Sequence, residues 1–143
     1  MDDGTAVIII LYNPSEEDIG NAESVAKTYR GVIVDNSDLP FTKDSKIGRM
    51  HYVCNKANKG IAEAQNIGMR IMLRECVSHL VFFDQDSRFG HDYPSLIANE
   101  FKSIKKDIPN LAMLGPTVKR KDSGEEYRSA IHKDRYASSD FIL

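Results

Sequence analysis

Two carboxylates one residue apart, Asp84 and Asp86, close the stretch His79-Leu80-Val81-Phe82-Phe83-Asp84-Gln85-Asp86-Ser87. An apolar run of strand length that ends abruptly in charge suits a buried strand of an α/β protein, which meets solvent and ligand only at its end. The pair can divide labour. One carboxylate accepts hydrogen bonds from ribose hydroxyls while the other coordinates Mg2+ or Mn2+. A cation bridging a diphosphate would neutralise the charge that develops as a nucleotide leaves. The same spacing also describes a strand end running into a solvated, Asp-rich turn.

Other candidates occupy comparable positions. Asp35 follows the short apolar run Val32-Ile33-Val34 and could accept a hydrogen bond from a nucleobase N–H, or fold back as an Asx turn. Tyr12 and Asn13 end the first apolar run. Asn58 and Asn66 flank the start of a helix that follows Gly60, where backbone N–H groups favour anions. Asn66 falls inside that helix, where propensity disfavours it, which hints at a specific hydrogen bond. The four histidines, His51, His79, His91 and His132, show no pairing at metal-ligand spacing.

These residues need strands and helices to carry them. Ala6-Val7-Ile8-Ile9-Ile10-Leu11 lacks polar alternation, so it reads as a strand covered on both faces, and Pro14 stops it. Ser15, with Asp18 three residues on, has the spacing of a capping box. Ile19, Ala22, Ala26 and Tyr29 then share one helical face, and Gly31 is read as that helix's end. Val32–Val34 is a second strand, 39–49 an irregular connection, and Met50–Cys54 a third strand. A helix follows from Ile61, in which Gly68 suggests close packing on the sheet. After the central strand, Pro94 marks the start of another helix, with Ile97, Phe101, Ile104 and Ile108 on one face. Leu111–Leu114 reads as a fifth strand, and 119–128 as an exposed loop or hairpin. The expected fold is therefore α/β, a three-layer sandwich with a mostly parallel sheet flanked by helices. Tyr12-Asn13, Asp35-Asn36 and Asp84-Gln85-Asp86, at the carboxyl ends of three strands, should converge on one crevice.

The chain's 143 residues suit one domain, 1–143, and 41% hydrophobic with 28% charged residues suits an ordinary globular protein. A formal net charge of -2 excludes the electrostatic footprint of nucleic-acid binding. No secretory n-region and h-region open the chain, and no apolar run reaches membrane-spanning length. Cys54 and Cys76 form no C-x-x-C pair, so a reducing cytoplasm is the expected location. The closing run Ser138-Ser139-Asp140-Phe141-Ile142-Leu143 is apolar, unlike most termini, and suggests a fragment of a longer polypeptide. An exposed sheet edge in such a fragment could pair with a second copy as a homodimer.

Four motifs occur in order: Ile9-Ile10-Leu11-Tyr12-Asn13-Pro14, Val34-Asp35-Asn36-Ser37, Asn58-Lys59-Gly60-Ile61-Ala62-Glu63-Ala64-Gln65-Asn66-Ile67-Gly68, and Phe83-Asp84-Gln85-Asp86-Ser87. Together they resemble the nucleotide-sugar-binding half of a family 2 glycosyltransferase of the GT-A fold, over roughly residues 6 to 118. The Tyr-Asn-Pro and Asp-Gln-Asp-Ser forms are most similar to bacterial rhamnosyltransferases, which build cell-surface polysaccharide. The resemblance implies a nucleotide-diphosphate sugar donor such as dTDP-rhamnose, a divalent metal, and a saccharide or lipid-linked saccharide acceptor. It also implies work in the cytoplasm, at the inner face of the membrane where the acceptor is lipid-linked. Asp35 would contact the nucleobase, with Tyr12 and Asn13 lining the same pocket. Asn58, Gly60 and Asn66 would lie beneath the nucleotide. Asp84 would be nearer the ribose and Asp86 the metal ligand. Ser138–Leu143 resembles a later strand of the family, but with Ser-Asp where Ser-Gly is expected. The general base of an inverting enzyme would lie beyond Leu143, as would the acceptor-binding half. The chain alone would then bind nucleotide without completing a transfer.

Two other classes fit parts of this pattern. A phosphohydrolase of the haloacid dehalogenase type would use a strand-end aspartate as nucleophile, but it carries that motif on its first strand. A non-catalytic nucleotide- or protein-binding module would keep the fold and the metal affinity without chemistry.

Overall fold

The computed structural model describes residues 4–116 and 122–124. The chain divides into two compact units, Met1–Glu100 and Phe101–Leu143. The first holds the sheet and every candidate site residue.

Strand β1 (Thr5–Leu11) is buried along its whole length. Its side chains alternate between two cores. Val7, Ile9 and Leu11 join Ala22, Val25 and Ala26 on one face, while Ile8 and Ile10 join Ala64 and Met72 on the other. Each large aliphatic side chain so removed from water contributes about 1.5–3 kcal/mol. That two-sided burial is the physical content of the unbroken apolar run.

Helix α1 (Glu16–Thr28) opens with the expected capping box. The Asp18 amide donates to Ser15 Oγ at 3.2 Å and the Ser15 amide to the Asp18 carboxylate at 3.0 Å. The helix ends earlier than Gly31, with Tyr29 as its C-cap, and Gly31 instead begins strand β2 (Gly31–Asp35). The reason is a close approach: a Cβ at Gly31 would lie 1.8 Å from the Val7 carbonyl oxygen of the paired strand. Only glycine fits there.

The connection after β2 is irregular apart from a two-residue strand, β3 (Lys46–Ile47), which pairs antiparallel with β4 (Met50–Cys54). Helix α2 (Ile61–Leu73) lays Ala64, Gly68 and Met72 on the sheet. Gly68 is the contact point, since a Cβ there would sit 2.8 Å from Ile8 Cγ2. Strand β5 (His79–Asp84) follows, and then helix α3 (Tyr93–Asp107), with Pro94 as its second residue. The rings of Phe83, Phe89 and Tyr93 pack together beside β5.

The sheet order is β3-β4-β2-β1-β5, with all pairs parallel except β3–β4. The chain runs outward from β1 through β2 to β4, then returns through α2 to place β5 on the far side of β1. Right-handed crossovers in opposite directions put their helices on opposite faces, which explains why α1 and α2 cover the two sides. The result is an α/β sandwich whose direction reverses between β1 and β5.

Leu111–Leu114 forms no strand. The Leu111 amide closes a turn onto the Ile108 carbonyl, Lys105 Nζ takes the Leu111 carbonyl at 2.8 Å, and Met113 is 84% exposed. Ser138–Leu143 and most of 119–128 lie outside the described residues. Among the described residues no helix is long and apolar enough to cross a membrane.

Candidate functional site

The carboxyl ends of β2, β1 and β5 are neighbours and level with one another. Ile10 pairs with Val34 on one side and Asp84 on the other, and Leu11 pairs with Asp35. A crevice of about 420 Å³ opens above them. Strand β1 contributes Ile10 and Leu11, with Tyr12 just beyond it; Asn36 follows β2, Asn58 comes from the loop before α2, and Ile61 opens α2. Asp84, Gln85 and Asp86 form the opposite wall. The topological switch point is where open α/β sheets leave room for a ligand, because the helices on either side diverge there.

Asp84 and Asp86 are exposed, and among the described residues neither carboxylate takes part in a side-chain hydrogen bond or ion pair. The turn that carries them is held firmly. The Ser87 amide donates to the Asp84 carbonyl at 3.1 Å, and Gln85 Oε1 accepts the Tyr12 amide at 2.7 Å. Asn21 Nδ2 donates to the Ser87 carbonyl at 3.0 Å. Arg88 donates to the Gln85 carbonyl at 2.8 Å and reaches Asp18 at 3.1 Å and Glu17 at 3.3 Å. The Ser15 hydroxyl and amide, and then Arg88, hold the Asp18 carboxyl below the usual range.

Asp35 is placed differently from the acidic pair. It is fully buried and does not line the crevice. Its Oδ1 accepts the Ser37 amide at 3.0 Å and the Ser37 hydroxyl, while Oδ2 accepts the Tyr52 hydroxyl at 2.6 Å. Burial, and then the Asp35 carboxylate itself, push the Tyr52 hydroxyl well above the ordinary tyrosine range. The Asx geometry therefore describes Asp35, with Tyr52 from β4 as a second anchor. Ser37 Oγ in turn accepts the Asn13 amide at 2.8 Å, which ties the β1 loop to the β2 loop. Asn13 itself adopts φ 44° and does not line the crevice.

Asn36, unlike its neighbour, lines the crevice. Its Oδ1 accepts the Lys59 amide at 3.1 Å and Asn55 Nδ2 at 3.0 Å, and its Nδ2 donates to Asn58 Oδ1 at 2.9 Å. Asn58 Oδ1 also accepts the Gly60 amide at 3.0 Å. This amide network pins the 55–60 loop to the β2 end and sets the start of α2 at the crevice. Gly60, at φ 80°, makes the turn into the helix and offers no side-chain cap. The first intrahelical bond is Ala64 N–H to the Gly60 carbonyl, so the amides of Ile61, Ala62 and Glu63 are the helix's open donors. Asn66 is exposed on α2 and does not line the crevice. Five residues that line the crevice, Ile10, Leu11, Asn36, Ile61 and Gln85, were not among the individual candidates, although all lie inside the four motifs. Only the register could separate them from Asn66.

Among the described residues no three His, Cys, Asp or Glu side chains gather as a metal site. Two unpaired carboxylates on one rigid turn are still a fit for a hard divalent cation that takes its remaining ligands from phosphate oxygens and water. Without a cation, a diphosphate against Asp84 and Asp86 would meet like charge, and Arg88 is already committed to Asp18 and Glu17.

The chain is, by topology and site, an α/β protein consistent with a Rossmann-like sandwich, with its crevice at the switch point. It is similar to dTDP-rhamnosyl transferase RfbF of Shigella flexneri, with 34% identity over 136 residues. That match covers 89% of this chain and 43% of the relative, so the chain spans less than half of the relative's length. No family model matches the chain, and no solved structure matches it.

Proposed function

We propose that this chain forms the nucleotide-sugar-binding part of a family 2 glycosyltransferase of the GT-A fold. The donor is a nucleotide-diphosphate sugar, of which dTDP-rhamnose is the first candidate. The observation that carries this reading is the crevice at the switch point, walled on one side by Asp84 and Asp86 and on the other by Tyr12, Asn58 and the α2 N-terminus. Similarity to a dTDP-rhamnosyl transferase over most of the chain supports the same reading. Inversion at the transferred sugar and an acceptor saccharide belong to the proposal.

In this reading Tyr12 and Ile61 offer apolar surface to the base, and Asn58 presents its amide beside them. Asp84 accepts from the ribose hydroxyls, and the open amides of Ile61 to Glu63 face anionic oxygen. Asp86 is the chief protein ligand for Mg2+ or Mn2+, which would supply charge neutralisation for the diphosphate. Asp35 serves the site indirectly, by holding the β2 end and its loop.

The test is calorimetric titration of dTDP, UDP and GDP with and without Mn2+, on the wild type and on Asp86→Ala. Metal-dependent binding of one nucleotide, lost in the folded variant, is expected. Equal binding with and without metal would remove the role of Asp86. Absence of binding to any nucleotide would reject the donor site in this chain.

A further inference from the structure

The acidic turn is braced from outside the crevice. Arg88 lies directly after Asp84-Gln85-Asp86-Ser87 and turns away from the crevice toward helix α1. Its guanidinium donates to the Gln85 carbonyl, which sits between the two acids, at 2.8 Å. The same group reaches the Ser87 carbonyl at 3.4 Å, Asp18 at 3.1 Å and Glu17 at 3.3 Å. A planar fork suits this double duty, because one Nη can hold backbone carbonyls while the other holds carboxylates. Asp18 is itself fixed by the Ser15 capping box, so the brace ends on a rigid helix terminus rather than a mobile side chain.

We infer that Arg88, anchored by Asp18 and Glu17, is a positioning residue that sets the Asp84–Asp86 turn for cation-assisted binding of a nucleoside diphosphate. This inference rests on the proposed donor site and names a residue that supports that site without touching it. Charge explains the choice of residue as well as geometry. A cation placed there but neutralised by two α1 carboxylates supports the turn without competing with a metal for Asp84 and Asp86. Outer residues that orient metal ligands matter because a displaced carboxylate has to be moved back on every binding event.

The experiment compares wild type with Arg88→Ala, Arg88→Lys and Glu17→Gln/Asp18→Asn. Calorimetry gives nucleoside-diphosphate affinity with and without Mn2+, and hydrogen–deuterium exchange of the 85–87 amides is followed in metal-free protein. Arg88→Ala is expected to weaken the metal-dependent affinity roughly tenfold or more. Metal-independent affinity should fall by clearly less, because Asp84 is also held by its strand pairing with Ile10, and the 85–87 amides should exchange faster. Arg88→Lys keeps the charge but not the fork, and should restore only part of the loss. A residue that merely held the fold together would lower both affinities alike, and that outcome overturns the inference. So does unchanged amide exchange in Arg88→Ala, whether or not nucleotide binds. If wild type itself shows no metal-dependent binding, the donor-site reading fails, while the exchange data still decide whether Arg88 braces the turn.

Discussion

Replacing Tyr52 with Phe isolates the anchor that keeps Asp35 out of the crevice. The Tyr52 hydroxyl donates to Asp35 Oδ2 at 2.6 Å, and the carboxylate is fully buried. The ring would remain, packed edge-on to Phe41 at a centroid distance of 4.8 Å, so little apolar contact is lost. What is lost is a short hydrogen bond to a charged acceptor, worth about 1.5–3 kcal/mol when its partner is left buried and unsatisfied. The Phe41 amide, 3.3 Å from the same hydroxyl, can turn to water and adds little. Taking about 2 kcal/mol, a protein of this size should melt roughly 8 °C lower. Thermal and urea denaturation of Tyr52→Phe, Asp35→Asn and the double variant would give the coupling directly. The raised Tyr52 ionisation sets the pH window. A group whose folded value lies above its unfolded value of 10.0 contributes fully below pH 10.0 and loses that contribution as pH rises through the folded value. The difference between wild type and Tyr52→Phe should therefore hold at neutral pH and shrink only in strong alkali. A shift in melting of less than about 2 °C at pH 7, which is on the order of 0.5 kcal/mol, would refute the anchor.

Two further outcomes follow from packing and capping. Gly68→Ala gains helix propensity of about 1 kcal/mol but drives a methyl against the stiff Ile8 side chain, so a net loss on the order of 1 kcal/mol is expected in urea denaturation. A stabilised variant would mean that α2 can lift from the sheet at no cost. The Asp18 carboxyl, held low first by Ser15 and then by Arg88, contributes stability that is present above its unfolded value of 3.8 and fades as pH falls through the lower folded value. Asp18→Asn should remove that acid dependence, read as the melting temperature between pH 5 and pH 2. An unchanged acid profile would show that the capping box is not ionised in its function.

What sequence by itself determined is local. The unbroken apolar run of β1 needs both faces covered whatever lies on them, and it found α1 on one side and α2 on the other. Ser15 and Asp18 lie within one helical turn of each other, so their capping box needed no tertiary partner. Gly68 announced a close contact, and Asp84 and Asp86 announced a polar strand end. Leu111–Leu114 shows the limit, because an apolar run of strand length does not by itself make a strand.

Tertiary structure decided everything that depends on register. Asp35 could read a base or make a turn on spacing alone. The choice fell to Tyr52, 17 residues away, which parallel pairing of β2 and β4 brings beside its carboxylate. Gln85 meets the Tyr12 amide across 73 residues, and Arg88 meets Asp18 across 70. Neither pairing has a sequence signature, since a side-chain amide or guanidinium accepts many partners. The return of the chain across β1 to place β5 beside it turned three polar strand ends into one crevice. Local preferences choose the elements, but only the packing of both sheet faces chooses which strand ends become neighbours.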